Sequence, residues 1–159
     1  MKFQLLDEII EQTPERIVAI KQVSLAEEYL ADHFPTFPVL PGVMMIETMA
    51  QAARRMLAGR GDARLVLGEV KALKFGSMVR PGEILEVEVT VQKDLGEGRF
   101  LCRGTGRVRR PARERDNIVA GRPSGDHSGA GGGSADPSSG SGETAVSGRF
   151  TMRPIRVAT

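Results

Sequence analysis

Cysteine, histidine and large aromatics are scarce in this chain of 159 residues: one Cys, two His, one Tyr, six Phe and no Trp. A lone Cys102 excludes an intrachain disulfide and fits a reducing compartment. One Cys and two separated histidines, His33 and His127, do not make a ligand set, so neither metal nor cofactor is expected. With aromatics at 4%, the core must rest on Val, Leu, Ile, Met and Ala. No run approaches the roughly 20 apolar residues a membrane-spanning helix needs. The opening MKFQLLDEIIEQ mixes acidic with apolar residues and does not read as a secretory signal. The expected location is the cytoplasm, away from any membrane. Twenty-two basic against 20 acidic residues leave a net charge of +2, too balanced to suggest nucleic-acid binding. Gly131-Gly132-Gly133 neither follows a strand nor opens a helix, which excludes a phosphate-binding loop.

What is present suits one domain with a sizeable core. Phe3 to Gln12 reads as a short amphipathic helix, with Leu5, Ile9 and Ile10 near one face. Arg16 to Val23 is rich in β-branched residues and reads as a strand. In His33 to Gly42, HFPTFPVLPG, three prolines forbid regular structure and make a stiff loop. Pro41-Gly42 then opens a helix that Gly59 and Gly61 stop. Leu65 to Phe75 is extended, with a bend expected at Gly68. Leu85, Val87, Val89 and Val91 alternate with polar residues, Gly96-Glu97-Gly98 makes a hairpin loop, and Phe100 to Val108 alternates again. The Gly/Ser-rich segment at about 111–143 holds too few apolar groups to offset the entropy of ordering it and reads as a flexible insertion. Ala145 to Arg153 resumes as a strand. One buried helix and several antiparallel strands make an α+β domain, the sheet covering its apolar face by wrapping the helix.

From Val39 to Ala53 the only charged residue is Glu47. A helix so apolar should be buried on every side, and a carboxylate inside it is costly without a partner. Glu47 therefore pairs with an Arg, emerges on a wet face, or does acid–base chemistry. His33 begins the rigid loop, an anchored position suited to a general base, though a lone His is more often an ordinary polar residue. Cys102 and the Met44, Met45, Met49 cluster read as core filling. Arg103, Arg107, Arg109, Arg110, Arg113 and Arg115 crowd one stretch, either a solvated face or a docking surface for an acidic partner.

The run HFPTFPVLPGVMMIETMAQAA resembles the active-site segment of the FabZ-type 3-hydroxyacyl-[acyl-carrier-protein] dehydratases, whose pattern reads HFPGxPxxPGVxxxEAMAQ. His33, Phe34, Pro35, Pro38, Pro41, Gly42, Val43, Glu47, Met49, Ala50 and Gln51 match, as does the His-to-Glu interval. Weaker similarity covers Gly68, Ala72 and the turn Val79-Arg80-Pro81-Gly82-Glu83. Glu47 favours this type over the related FabA type, which carries Asp there and also isomerises its product.

The resemblance implies a hotdog fold, a curved antiparallel sheet wrapped around a central helix. It implies a homodimer, often a trimer of dimers, in which His33 of one subunit faces Glu47 of the other. In that scheme His33 removes the α-proton, and Glu47 positions or protonates the departing 3-hydroxyl. The backbone N–H groups of Gly42 and Val43 receive the thioester oxygen. Phe34, Phe37, Pro38, Met45 and Ile46 are candidates for the acyl tunnel, and Gln51 for holding Glu47. The partner implied is an acidic acyl carrier protein, which Arg54, Arg55, Arg60, Lys71, Lys74 or Arg80 would meet. The chain departs from the pattern at Asp32 and Thr36, where glycines are usual, in a shorter N-terminal region and in its insertion. A non-catalytic acyl-binding subunit and a thioesterase on the same fold are the competing readings.

Overall fold

The computed structural model describes residues 3–31, 33–34, 36–60, 64–110 and 142–155. Six strands and one long helix make up the described chain: β1 (Glu8–Gln12), β2 (Arg16–Gln22), α1 (Gly42–Met56), β3 (Leu65–Phe75), β4 (Ile84–Gly96), β5 (Arg99–Arg109) and β6 (Glu143–Pro154). A single 3₁₀ turn, Glu28–Leu30, interrupts the connection from β2 to the proline-rich loop. The strands form one sheet in the order β1-β2-β4-β5-β6-β3, every neighbour antiparallel. The sheet curves around α1 in the hotdog arrangement.

The period-two stretches become the central strands. Leu85, Val87 and Val89 of β4 and Phe100, Cys102 and Val108 of β5 point inward and are buried. They meet Met45, Met49, Ala52, Ala53 and Met56 of α1 in a single core cluster. Met49 is fully buried, so truncating it would cost about 2–5 kcal/mol. Close approach of helix and sheet depends on Gly104, because a Cβ there would overlap Met49 Sδ and crowd Phe150. The buried hydroxyl of Thr48 is satisfied within the helix, donating to Met44 O at 2.7 Å.

Other polar groups on and beside the sheet are paired. Lys21 on β2 is almost wholly buried and reaches Glu27 at 2.7 Å and Asp7 at 3.3 Å. On the outer face Arg107 meets Glu88, Arg109 meets Glu86, and Arg110 bridges Glu83 and Glu143. The described members of the arginine-rich stretch are thus largely tied to neighbouring strands, which favours the solvated-face reading. Arg113 and Arg115 lie outside the described residues.

The N-terminal segment departs from expectation. It is no helix: Glu8–Gln12 forms an edge strand, pairing Glu8 with Ile20 and Gln12 with Ile17 around a bulge between Ile9 and Glu11. A short uncapped helix is marginal alone. Pairing along β2 supplies the backbone hydrogen bonds instead, and Asp7 fastens the entry by accepting from the Gln22 N–H at 2.6 Å. The bend at Gly68 is present as a break in the β3–β6 register between Leu67 and Val70. The last strand begins at Glu143, two residues before the expected Ala145. Of the Gly/Ser-rich segment, 111–141 lies outside the described residues. Among the described residues no helix is long and apolar enough to cross a membrane.

Candidate active site

His33 is held by the loop that precedes α1. Phe34 takes a left-handed backbone (φ 51°), a conformation non-glycine residues adopt only when their surroundings impose it. The Phe37 N–H closes a turn onto Phe34 O at 2.8 Å, and Leu40 N–H ties the loop's end to Val79 O at 2.8 Å. The Arg80 guanidinium lies over the Phe37 ring, 4.5 Å from its centroid. Within this frame the Phe34 ring stands edge-on to the imidazole at 4.6 Å. His33 Nδ1 lies 3.2 Å from Val39 O. A carbonyl only accepts, so Nδ1 is the donor in this bond, and in the neutral ring Nε2 is the nitrogen that can take a proton.

The imidazole opens on an apolar groove of about 450 Å³. His33, Phe34, Phe37, Gly42 and Met45 line it, and so do Phe75 and Met78, which sequence reasoning missed. Phe75 ends β3 and Met78 follows it, and the Leu40–Val79 backbone bond ties this segment to the loop that carries His33. Pro38 and Ile46 line neither this groove nor the one around Glu47. The floor is the start of α1. Met44 and Met45 both donate to Pro41 O, while Val39 O is engaged by His33. The N–H groups of Gly42 and Val43 have no hydrogen-bond partner among the described residues, as befits the first turn of a helix, where free donors and the dipole favour an anion. Phe75 packs onto Gly42 so closely that a Cβ there would sit 2.7 Å from its Cε1.

Glu47 lies farther along the same helix and faces another cavity, of about 1200 Å³, lined also by Phe3, Leu6, Asp7, Ile9, Gln51 and Arg54. The expectation of a helix buried on every side does not hold for the single chain. The sheet covers one side of α1, and positions 43, 47, 51 and 54 recur on the other. Val43 is 70% exposed, and the Glu47 side chain is 36% exposed. The carboxylate has found an Arg, one of the alternatives its sequence context left open. Its Oε1 accepts from Arg54 Nη2 at 3.2 Å and from Gln51 Nε2 at 3.1 Å. The Gln51 amide is in turn gripped by the N-terminal segment, donating to Phe3 O at 2.9 Å and accepting from Leu5 N–H at 3.0 Å.

Within one chain, therefore, His33 and Glu47 open on different cavities. Among the carrier-docking candidates, Arg54 is drawn to Glu47, Lys71 to Glu69 and Arg60 to Pro14 O. Thr36 is exposed; Asp32 and His127 lie outside the described residues. Burial pushes the Cys102 thiol up to about 12, which leaves it without the thiolate a nucleophile needs.

The ApeI-like family model, described as ApeI dehydratase, matches residues 9–109. The FabZ 3-hydroxyacyl-[acyl-carrier-protein] dehydratase of Pseudothermotoga lettingae is 40% identical over 90 residues, 56% of this chain and 64% of that protein. Its counterpart in Ruminiclostridium cellulolyticum is 40% identical over 97 residues, 57% of this chain and 68% of that one. For the Thermotoga maritima enzyme the figures are 36% over 118 residues, 74% and 81%. The chain thus spans just under two thirds of the first relative's length and more of the other two. Among solved structures, the dehydratase heterocomplex ApeI:P from Xenorhabdus doucetiae superposes with a TM-score of 0.60 at 16% identity, covering 96% of this chain and 99% of that one. A Streptococcus mutans protein bound to acetyl CoA also gives 0.60, at 10% identity, covering 98% and 92%. At such identities these two speak for the fold alone. The family match runs from β1 to the end of β5 and takes in the His33 loop and Glu47, and on that match the chain belongs to the ApeI-like dehydratases, with FabZ enzymes among its relatives.

Proposed function

We propose that this chain dehydrates 3-hydroxyacyl thioesters carried on acyl carrier protein, forming the trans-2-enoyl thioester and water in fatty acid or related lipid or polyketide synthesis. The site is composite: His33 of one subunit faces Glu47 of the other across a homodimer, alone or as part of a trimer of dimers. It works in the cytoplasm. The observation that carries this reading is the setting of His33, whose Nδ1 is engaged by Val39 O and which lines an apolar groove together with Gly42 at the start of α1.

The chemistry follows from that arrangement. A thioester acidifies its α-hydrogen, and His33 Nε2 takes that proton. The electron pair moves toward the thioester carbonyl, whose oxygen gains negative charge facing the free N–H groups of Gly42 and Val43. The C3–O bond then breaks as the α–β double bond forms. Glu47 gives the leaving hydroxyl its proton, and water departs. Proton exchange between the His33 imidazolium and the Glu47 carboxylate restores the starting state. Phe34, Phe37, Met45, Phe75 and Met78 exclude water from the acyl chain.

A second reading concerns the partner. The ApeI:P structure is a dehydratase heterocomplex, and on that reading the facing subunit is a different hotdog chain rather than a second copy.

Dehydration and reverse hydration of short and medium acyl-carrier thioesters, followed by enoyl absorbance, test the proposal. The purified chain should turn over, and folded His33→Ala and Glu47→Gln variants should each lose about 10²- to 10⁴-fold. A folded, dimeric wild type inert at every chain length would argue for an acyl-binding subunit or an obligate heterocomplex. Thiol release from saturated acyl thioesters would make it a thioesterase.

A further inference from the structure

We infer that Arg54 is a positioning residue for the dehydration, fixing which oxygen of Glu47 meets the substrate. The inference rests on the reading of Glu47 as the acid.

Two donors converge on one atom. Gln51 Nε2 and Arg54 Nη2 both point at Glu47 Oε1, at 3.1 and 3.2 Å. An oxygen that accepts from an amide and a guanidinium has no lone pair suitably placed to carry a proton as well. The exchangeable proton of Glu47 therefore resides on Oε2. Oε2 is the oxygen that reaches the 3-hydroxyl, and the O–H bond of the departing water forms from it as the C3–O bond breaks. The arrangement parallels His33, where Nδ1 is held by Val39 O and Nε2 is left to work. In both groups the protein occupies one heteroatom and leaves the other to the substrate.

Arg54 is well placed for the task. It lies seven positions after Glu47, two helical turns along the same face. It is in the last turn of α1, where the helix dipole favours a cation. Its Nε is buried and has no hydrogen-bond partner among the described residues, so the Nη2 bond to Glu47 is what orients the guanidinium. Gln51 alone would leave Oε1 with one neutral donor, itself shared with Phe3 O, and the carboxyl could rotate to present either oxygen.

The test compares Arg54→Gln and Arg54→Lys with wild type and Glu47→Gln. One 3-hydroxyacyl group is presented on acyl carrier protein and on N-acetylcysteamine, with folding and oligomeric state checked for each variant. Arg54→Gln should lower kcat about 10- to 100-fold with both thioesters, with KM nearly unchanged. Arg54→Lys should recover part of the loss. If kcat with both thioesters matches wild type while Glu47→Gln is inactive, Arg54 has no positioning role and the reading of Glu47 survives. A rise in KM confined to the carrier-bound substrate would make Arg54 a docking residue and likewise overturn the inference. Full activity in Glu47→Gln would bring down the reading of Glu47 itself, and this inference with it.

Discussion

Phe75 lies directly on Gly42. A methyl group at that position would come within 2.7 Å of the ring's Cε1 and 2.8 Å of Cζ. Both residues line the apolar groove beside His33.

Gly42→Ala should therefore cost activity more than stability. Gly42 is the first residue of α1, where alanine is well tolerated, and Phe75 is half exposed. The displaced ring would obstruct the groove, so kcat/KM should fall about tenfold while Tm stays within a few degrees. Phe75→Ala in the same background should restore most of the loss. That non-additivity, read from a double-mutant cycle, checks the contact.

Cys102 sits mid-strand in the core, fully buried, and burial raises its thiol to about 12. The native protein should resist a disulfide reagent such as DTNB at pH 8, and the denatured chain should release one equivalent. Rapid reaction in the native state would mean that the β5 core opens far more readily than its packing implies.

Lys21 gives a stability signature at alkaline pH. Burial acts to lower its titration, but the bonds to Glu27 and Asp7 outweigh that, and the net shift is above the ordinary 10.5. A raised folded value means the contribution is fully present below about pH 10.5 and lost as pH climbs through the folded value. Urea unfolding from pH 7 to 11.5 should show a late alkaline decline that Lys21→Met removes. At pH 7 the same variant should lose about 1–3 kcal/mol, because Glu27 and Asp7 are left without their cation.

Removing most of Ser124 to Ser141 should leave the domain intact. The flanking strands are already side by side, with Val108 opposite Glu143 and Arg107 opposite Thr144. A short linker closes that hairpin, and shortening the loop changes its closure cost by less than about 1 kcal/mol. Thermal melting and the dehydration assay should match the full chain; an insoluble product would show that the segment contributes to folding.

Much of this arrangement was legible from local pattern. Pro41-Gly42 and the apolar run after it marked α1, and the alternation of Leu85, Val87 and Val89 marked β4, because helix and strand periods differ. Leu5, Ile9 and Ile10 misled, since their spacing suits a helix and only pairing with β2 makes Glu8–Gln12 a strand. Phe75 and Met78 were invisible as site residues because tertiary packing of the end of β3 against the loop before α1, not sequence proximity, brings them to His33. The Glu47–Arg54 pair is different: its helical spacing was there to be read, but an Arg next to a second Arg looks like plain surface charge.

The composite site is tested most directly by mixing two inactive variants. His33→Ala and Glu47→Gln, each folded and dimeric, are unfolded together, refolded as a mixture and assayed. In a heterodimer the Glu47→Gln chain supplies an intact His33 and the His33→Ala chain an intact Glu47, so one of its two sites is whole. With random exchange, roughly a quarter of wild-type activity should return. If mixed dimers form and no activity returns, His33 and Glu47 do not work together across the interface, and the account of the site is wrong.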